Sequence, residues 1–374
     1  MTATSETSVV TSALPAACDK VLARTIELCR VPAPPFGEEA RSALVRDWWV
    51  ADGLRLVQVD AIGNVWAQLR DGSGPAVVVC AHVDTVFAAD VEHVTAYDGV
   101  TLVGPGVGDD GVAVAALSVL DSLLPERVPS PVWLLATVGE EGLGNLRGVT
   151  FALDHPLCAV GAMVALEGNY LGRVNTVGVG SVRWRVTVTG PGGHAWEERD
   201  APSAVHAAAT LVAGLDTMAR PDGTSSVNIG TIHGGESVNS RASSCSFELD
   251  LRSDDPDCLA GLVEAAQVQL AALPEGLTVD QVEIGMRPAG SIDAGHPLVR
   301  AAQDALAGVG RTGRLTAAST DANAAYARGV PAITLGVTEG SGTHTEQEWI
   351  TVEPIADGLH ALAQTLLSID LEEW

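Results

Sequence analysis

Positive charge is what this sequence has least of. Lys and Arg together number 21 against 47 Asp and Glu, for a formal net charge of −26. Binding a phosphate backbone needs clustered Lys and Arg, so nucleic acid is excluded as a partner. Lys20 is the only lysine, which reflects coding bias rather than chemistry. Also missing is any run of 18 apolar residues free of charges and turn signals, so no membrane span is expected. The six cysteines (Cys18, Cys29, Cys80, Cys158, Cys245 and Cys258) show no C-x-x-C spacing, and three sit within apolar runs. Reduced cysteines are expected, with neither a disulfide framework nor a Cys-based zinc site. The Ser/Thr-rich start, from Met1 to about Ala13, lacks a basic n-region and a long apolar run. It reads as a disordered lead-in outside the fold rather than a signal peptide, and a cytoplasmic protein is expected.

What is present suits a large core, since 47% of residues are hydrophobic and 18% charged. The length predicts two domains, or one interrupted by an insertion. Helical periodicity covers 18–30 and 38–52, followed by strands at 54–59, 65–70 and the all-apolar 76–80. A buried helix is predicted at 112–124, with strands at 132–138 and 162–166. Strand and helix alternating around all-apolar strands predict an α/β sheet covered on both faces. The pattern changes near Gly180. Half-exposed strands at 181–189, 226–233, 243–252 and 277–284 alternate with helices at 203–218 and 257–273, which gives the order βαββαβ. An inserted ferredoxin-like domain is therefore expected at 180–287, dividing a catalytic domain into 1–179 and 288–374. The α/β pattern resumes with helices at 297–307, 322–328 and 352–367 and strands at 314–316 and 332–337.

Polar residues collect just past the carboxyl ends of the apolar strands, the edge where open α/β sheets bind ligands. They are His82 and Asp84, Asp109 and Asp110, Glu140 and Glu141, Glu167, and His344 in a Gly-rich loop. Singly, each is ordinary turn or surface chemistry. Five such groups converging on one edge are another matter. Two His with several carboxylates form a ligand set for Zn²⁺, and the surplus of carboxylate suits two ions sharing a bridge. Crowded carboxylates would otherwise repel one another.

The motifs AHVDTV (81–86), GPGVGDDG (104–111), GEEGLG (139–144), LEG (166–168), GPGGHAW (190–196), the stretch from Gly234 to Arg252, STDAN (319–323) and GTHT (342–345) resemble, in order and spacing, those of a known family. It is the di-zinc metallopeptidases that include glutamate carboxypeptidases, aminoacylases, acetylornithine deacetylases, succinyl-diaminopimelate desuccinylases and tripeptide aminopeptidases. The resemblance runs from about Val21 to Ile369. It implies two Zn²⁺ per chain, with Mn²⁺ or Co²⁺ also suited to a carboxylate-rich site. By the same resemblance Asp109 bridges the ions, His82 and Glu167 complete one site, and Glu141 and His344 complete the other. Asp84 would orient His82. Glu140 would be the general base that takes a proton from the attacking water and passes it to the leaving amine. The inserted domain resembles the family's lid and dimer-forming domain, which implies a homodimer. On it His194 would stabilise the oxyanion, in its own chain or across the dimer, and Asn239 and Arg252 would grip a substrate carboxylate. Lid closure would bring His194 and Arg252 over the metals.

Two departures bear on substrate contacts. Many relatives carry Lys two positions after the bridging Asp, where this chain has Gly111, and the Asn-x-x-Pro of many lids ends here in Ala242. Glu at the position of Glu167 accompanies deacylases and carboxypeptidases, whereas Asp accompanies aminopeptidases. The expected substrate is therefore an N-acyl amino acid or a small peptide with a free carboxylate. An aminopeptidase acting on di- or tripeptides is the second reading, and a non-catalytic metal-binding protein is a third of another class.

Overall fold

In the computed structural model, which describes residues 3–220 and 223–374, the chain forms two compact units. One joins the chain up to Gly178 with Ser291–Trp374, and the other is Val179–Gly290. The first opens with helices α1 (Ala3–Cys29) and α2 (Glu39–Ala51), followed by strands β1 (Arg55–Val59), β2 (Val65–Arg70) and β3 (Ala76–His82). Next come β4 (Ala96–Tyr97), β5 (Thr101–Val103), α3 (Val112–Leu117), α4 (Leu120–Leu123), β6 (Val132–Thr137), α5 (Arg147–Asp154), β7 (Val160–Glu167) and β8 (Arg173–Gly178). The second unit supplies β9 (Gly180–Thr189), α6 (Ala204–Asp216), β10 (Ser225–Gly234), β11 (Ser244–Ser253), α7 (Pro256–Ala271) and β12 (Thr278–Arg287). The chain closes with β13 (Gly290–Ser291), α8 (Pro297–Gly308), β14 (Arg314–Ala318), α9 (Ala322–Tyr326), β15 (Ala332–Gly336), β16 (Gly340–Ser341), β17 (Trp349–Thr351) and α10 (Ile355–Leu367).

The main sheet runs β1-β2-β6-β3-β7-β15-β8-β13, with β14 added on β8. Its centre, β6-β3-β7-β15, is parallel, while β2 meets β6 and β8 meets β15 antiparallel, and β14 runs parallel to β8. Every residue of β3, β6 and β15 is buried, as strands covered on both faces require. Because the four central strands point the same way, His82, the Gly139–Glu141 turn and Glu167 all emerge at one edge. A second sheet, β16-β17-β5-β4, stands apart from the main one. Its strands are two or three residues long, too short for any periodic signal in the sequence.

Two local expectations are corrected. The predicted disordered start is largely helix: α1 begins at Ala3 and contains Pro15, while Met1 and Thr2 lie outside the described residues. Val10 is buried in the main core with Ala17, Val21 and Leu28, which extends the helical stripe back into the Ser/Thr-rich start. The single helix predicted at 112–124 is broken in two. The N–H groups of Ser118 and Val119 reach back three residues, to Ala115 and Ala116, and the Ser118 hydroxyl accepts from the Trp49 indole at 3.2 Å. No helix among the described residues is long and apolar enough to cross a membrane, and all six cysteines are unpaired.

The second unit has the order βαββαβ and an antiparallel sheet β10-β11-β9-β12. Along β9, Val182, Trp184, Val186 and Val188 turn to a core completed by Ala208, Leu211 and Leu215 of α6 and Leu259, Ala266 and Leu270 of α7. Arg183 and Arg185 alternate onto the other face.

Candidate metal centre

The site is assembled from turns that leave the sheet edge. β3 ends on His82, whose backbone N–H donates to Asp110 Oδ2 at 3.2 Å. After β6 the chain bends at Gly139, with φ of +64°, where an added Cβ would lie 2.5 Å from the Arg147 side chain. The elbow that follows is held from behind by Asp84. One carboxylate oxygen accepts the Glu140 N–H at 3.0 Å and the other the Glu141 N–H at 2.8 Å. After β7, Gly168 packs so closely on the Asp109 loop that a Cβ there would approach Gly108 O to 2.3 Å. Its N–H donates to Asp110 Oδ1 at 2.9 Å. His344 sits on the β16–β17 turn with φ of +66°, a left-handed conformation that costs a non-glycine residue about 1 kcal/mol or more and is commonest at functional sites.

All five sequence-predicted ligands come together. Nε2 of His82 lies 2.9 Å from one oxygen of Asp109, and Nε2 of His344 lies 3.2 Å from the other. His344 Nε2 is also 3.1 Å from Glu141 Oε1. Ligand atoms of His82, Asp109 and Glu141 fall within 4.8 Å of one another, as do those of His82, Asp110 and Glu167. On the far side of its ring, His82 Nδ1 lies 3.1 Å from the backbone oxygen of Asp84 and 3.7 Å from its carboxylate. Asp84 therefore orients His82 mainly through its main chain, while its carboxylate serves the elbow.

Crowded carboxylates and two imidazoles shift one another's proton affinities. Burial opposes a charge on His82, but hydrogen bonds to Asp109 and Asp84 overcome it and hold its pKa well above the ordinary value. Hydrogen bonds to Asp109 and Glu141 push His344 up to about 10. Burial would raise Asp109, yet the bonds from His344 and His82 keep it below the usual carboxylate range. Burial and then the Asp109 charge push Glu141 up to about 7, and Glu167 is raised by burial, Asp109 and Asp110. The imidazole N–H groups thus stand where divalent ions would join the same nitrogens to the same oxygens. Two imidazoles and a surplus of mutually repelling carboxylates are a donor set that fits two such ions.

The lid residues lie in the other unit and divide into two groups. His194 bridges Ser240, and the Ala195 N–H donates to Asn239 O at 2.9 Å, so His194 and Asn239 share one loop cluster. The N–H groups of Trp196 and Glu197 donate to His194 Nδ1 at 3.3 and 3.4 Å, which places the ring proton on exposed Nε2. The Asn239 side-chain oxygen accepts from the Ser237 hydroxyl at 3.0 Å. Arg252 is paired through Nε with Asp250 at 2.9 Å, at the opposite end of β11. Ser244 pairs with Thr189 at the His194 end and Arg252 with Ser181 at the other. At about 3.3 Å per residue the two ends are roughly 25 Å apart. The register therefore sets His194 and Arg252 at opposite ends of this sheet.

A family model described as Peptidase family M20/M25/M40 matches residues 78–368. The chain belongs to this family. As an M20 protein it is a metallopeptidase or amidohydrolase, acting on peptide or amide bonds at a metal centre. No curated protein matches it by sequence. Among solved structures, this M20 chain is similar to aminopeptidase PepT from Bacillus cereus ATCC 10987, with 21% identity, a TM-score of 0.79, and coverage of 94% of this chain and 98% of that one. It is similar to a tripeptidase from Staphylococcus aureus subsp. aureus Mu50 at 20% identity, a TM-score of 0.78 and the same coverage. The YxeP protein of Bacillus subtilis, described as a dinuclear metal binding peptidase from the M20 family, shares 16% identity over 94% of this chain and 98% of its own, with a TM-score of 0.70.

Of three buried acids beside the candidate ligands, Asp110 was named from the sequence without a role, and Asp321 and Glu348 were not singled out. Asp110 ties His82 to Gly168, as above. Asp321, pushed up to about 7 by burial and then by Glu140, takes the Thr137 hydroxyl at 2.6 Å. Glu348 accepts three N–H groups of the Asp109 loop. The usable signals were Asp321 in STDAN and a Glu four residues past His344.

Proposed function

We propose that this chain hydrolyses the amide bond of an N-acyl amino acid or a small peptide bearing a free carboxylate, with His82, Asp109 and Glu167 holding one divalent ion and Asp109, Glu141 and His344 a second. The observation that carries the reading is Asp109, whose two oxygens face two different imidazoles. Two zinc ions there would supply Lewis acidity at the scissile carbonyl and a more acidic attacking water. Glu140 is the base: it is buried, follows the bend after β6, and is fixed at its backbone by Asp84. It takes the proton of the attacking water and returns it to the leaving amine. His194 presents its Nε2–H to the carbonyl oxygen as negative charge develops there.

Arg252 offers a guanidinium to the substrate carboxylate, and Asn239 assists from the His194 loop. Roughly 25 Å of sheet between these groups exceeds the span of a dipeptide, about 7 Å at 3.3–3.6 Å per residue. A second copy of the chain resolves the conflict, one protomer contributing Arg252 and its partner the His194–Asn239 cluster. This spacing supports a homodimer formed through the lid. The likeness to an aminopeptidase and a tripeptidase supports the second reading, a di- or tripeptide aminopeptidase, whereas Glu167 and Arg252 favour the first.

The test is metal content and hydrolysis of free, N-acetylated and amidated forms of one dipeptide, for the wild type and Glu140→Ala. The expected result is two ions in both proteins, cleavage that tolerates acetylation but not amidation, and loss of about 10²–10⁴ in rate in the variant. Activity that survives amidation and is abolished by acetylation would establish the aminopeptidase instead. No bound metal and no difference between the proteins would leave a non-catalytic chain.

A further inference from the structure

Asp109 arrives on a loop that has little stiffness of its own. Between β5 and α3 the chain reads Gly104-Pro105-Gly106-Val107-Gly108-Asp109-Asp110-Gly111, and each glycine adds conformational freedom that must be removed if Asp109 is to meet two ligands at once. The structure removes it from outside. Glu348, fully buried, accepts the Gly106 N–H on one oxygen at 3.0 Å. On the other it accepts those of Gly108 and Asp109 at 2.9 and 2.7 Å. The fit is tight, since a Cβ on Gly108 would stand 2.7 Å from Glu348 Oε1. The backbone repeats the connection: the Gly104 N–H donates to Glu348 O at 2.8 Å, and β17, which starts one residue later, pairs with β5. His344 lies on the turn that Glu348 closes, where the Glu348 N–H returns to Thr345 O at 3.0 Å.

We infer that Glu348 is a positioning residue that sets the Asp109 loop and the His344 turn in register with each other, so that the metal-binding carboxylate is in place before any ion arrives. The inference rests on Asp109 being a metal ligand. No atom of Glu348 need touch metal or substrate, because its three bonds are all to backbone N–H groups, and a carboxylate suits three such donors as an amide does not. Gln in its place keeps one acceptor oxygen and turns an NH₂ group towards an N–H.

The experiment is a titration of Zn²⁺ into metal-stripped wild type, Glu348→Gln and Glu348→Asp, by competition with a chromophoric chelator. Circular dichroism of the stripped proteins and kcat at saturating Zn²⁺ accompany it. Both variants are expected to fold and to bind Zn²⁺ about 10–100-fold more weakly, the usual effect of losing a group that holds a ligand in place. At saturating metal, kcat should return to within about threefold of wild type, a recovery that general structural damage would not give. Unchanged Zn²⁺ affinity in a folded variant would overturn the inference while leaving the metal centre intact. Failure of the wild type to bind two ions would overturn the reading of Asp109 first, and the inference with it. Should Gln disturb folding, the Asp variant, which keeps the charge but falls short of the loop, decides the matter by the same affinity comparison.

Discussion

Asp84→Asn removes one formal charge and one acceptor from a side chain with no exposed surface. In the native elbow one carboxylate oxygen takes the Glu140 N–H at 3.0 Å and the other the Glu141 N–H at 2.8 Å. An amide can serve only one of them, and its NH₂ must face the other as donor against donor. A hydrogen bond to a charged acceptor is worth about 1.5–3 kcal/mol, and a buried N–H left without a partner costs about 1–3 kcal/mol. Relief of repulsion among the neighbouring carboxylates offsets part of this, which leaves a net penalty of about 2–4 kcal/mol. It falls on the turn that carries the proposed base and a proposed ligand. The assay is kcat and KM on the best substrate of the dipeptide panel, with metal content and thermal unfolding measured on the same samples. The expectation is a fall in kcat of about 10–100-fold with little change in KM, together with weaker metal retention. A variant with wild-type kcat, metal content and melting temperature would refute the assignment of Asp84 as the clamp behind the elbow.

Two further outcomes are expected. The raised pKa values of His344 (about 10) and Glu141 (about 7) mean that the folded metal-stripped protein binds more protons than the unfolded chain across the interval from about pH 4.5 to 10. Its melting temperature should fall as pH rises through that window, zinc should flatten the dependence, and binding should release protons in calorimetry performed in two buffers. A melting temperature that climbs with pH would contradict the charge balance described for the site. Sedimentation should give a dimer, and a monomer at assay concentration would remove any contribution of His194 from a partner.

How much of this could be read without coordinates depended on the distance over which each signal acts. The central strands announced themselves because residues buried on both faces must all be apolar, as in Ala76 to Ala81. His82 and Glu167 were legible because each ends such a strand, and Glu141 because it stands in the turn after one. Other parts had only short or indirect signals. The sheet of β4, β5, β16 and β17 is held by pairing between segments more than two hundred residues apart, and none of its strands spans two periods of any pattern. β8 carries Arg173, Asn175 and Thr176, polar residues that disguise an interior strand. Glu348 resembled any Glu in a polar loop until its three backbone donors were in view. Motif order shows that His194 and Arg252 belong to one domain, but strand register decides at which end each one stands.

The bond from Gly106 to Glu348 joins residues 242 positions apart. At about 5–20 residues per second, a ribosome that has released the Asp109 loop needs roughly 12–48 s more to deliver the residue that holds it. The lid, contiguous in sequence from Val179 to Gly290, is complete within that interval and has its own core on which to fold. For the nascent chain the order of events is therefore fixed by the path of the polypeptide. The inserted domain can mature during translation, whereas the proposed metal centre, which His344 and Glu348 complete, is among the last parts to form, and any ions would be acquired only after those residues have emerged.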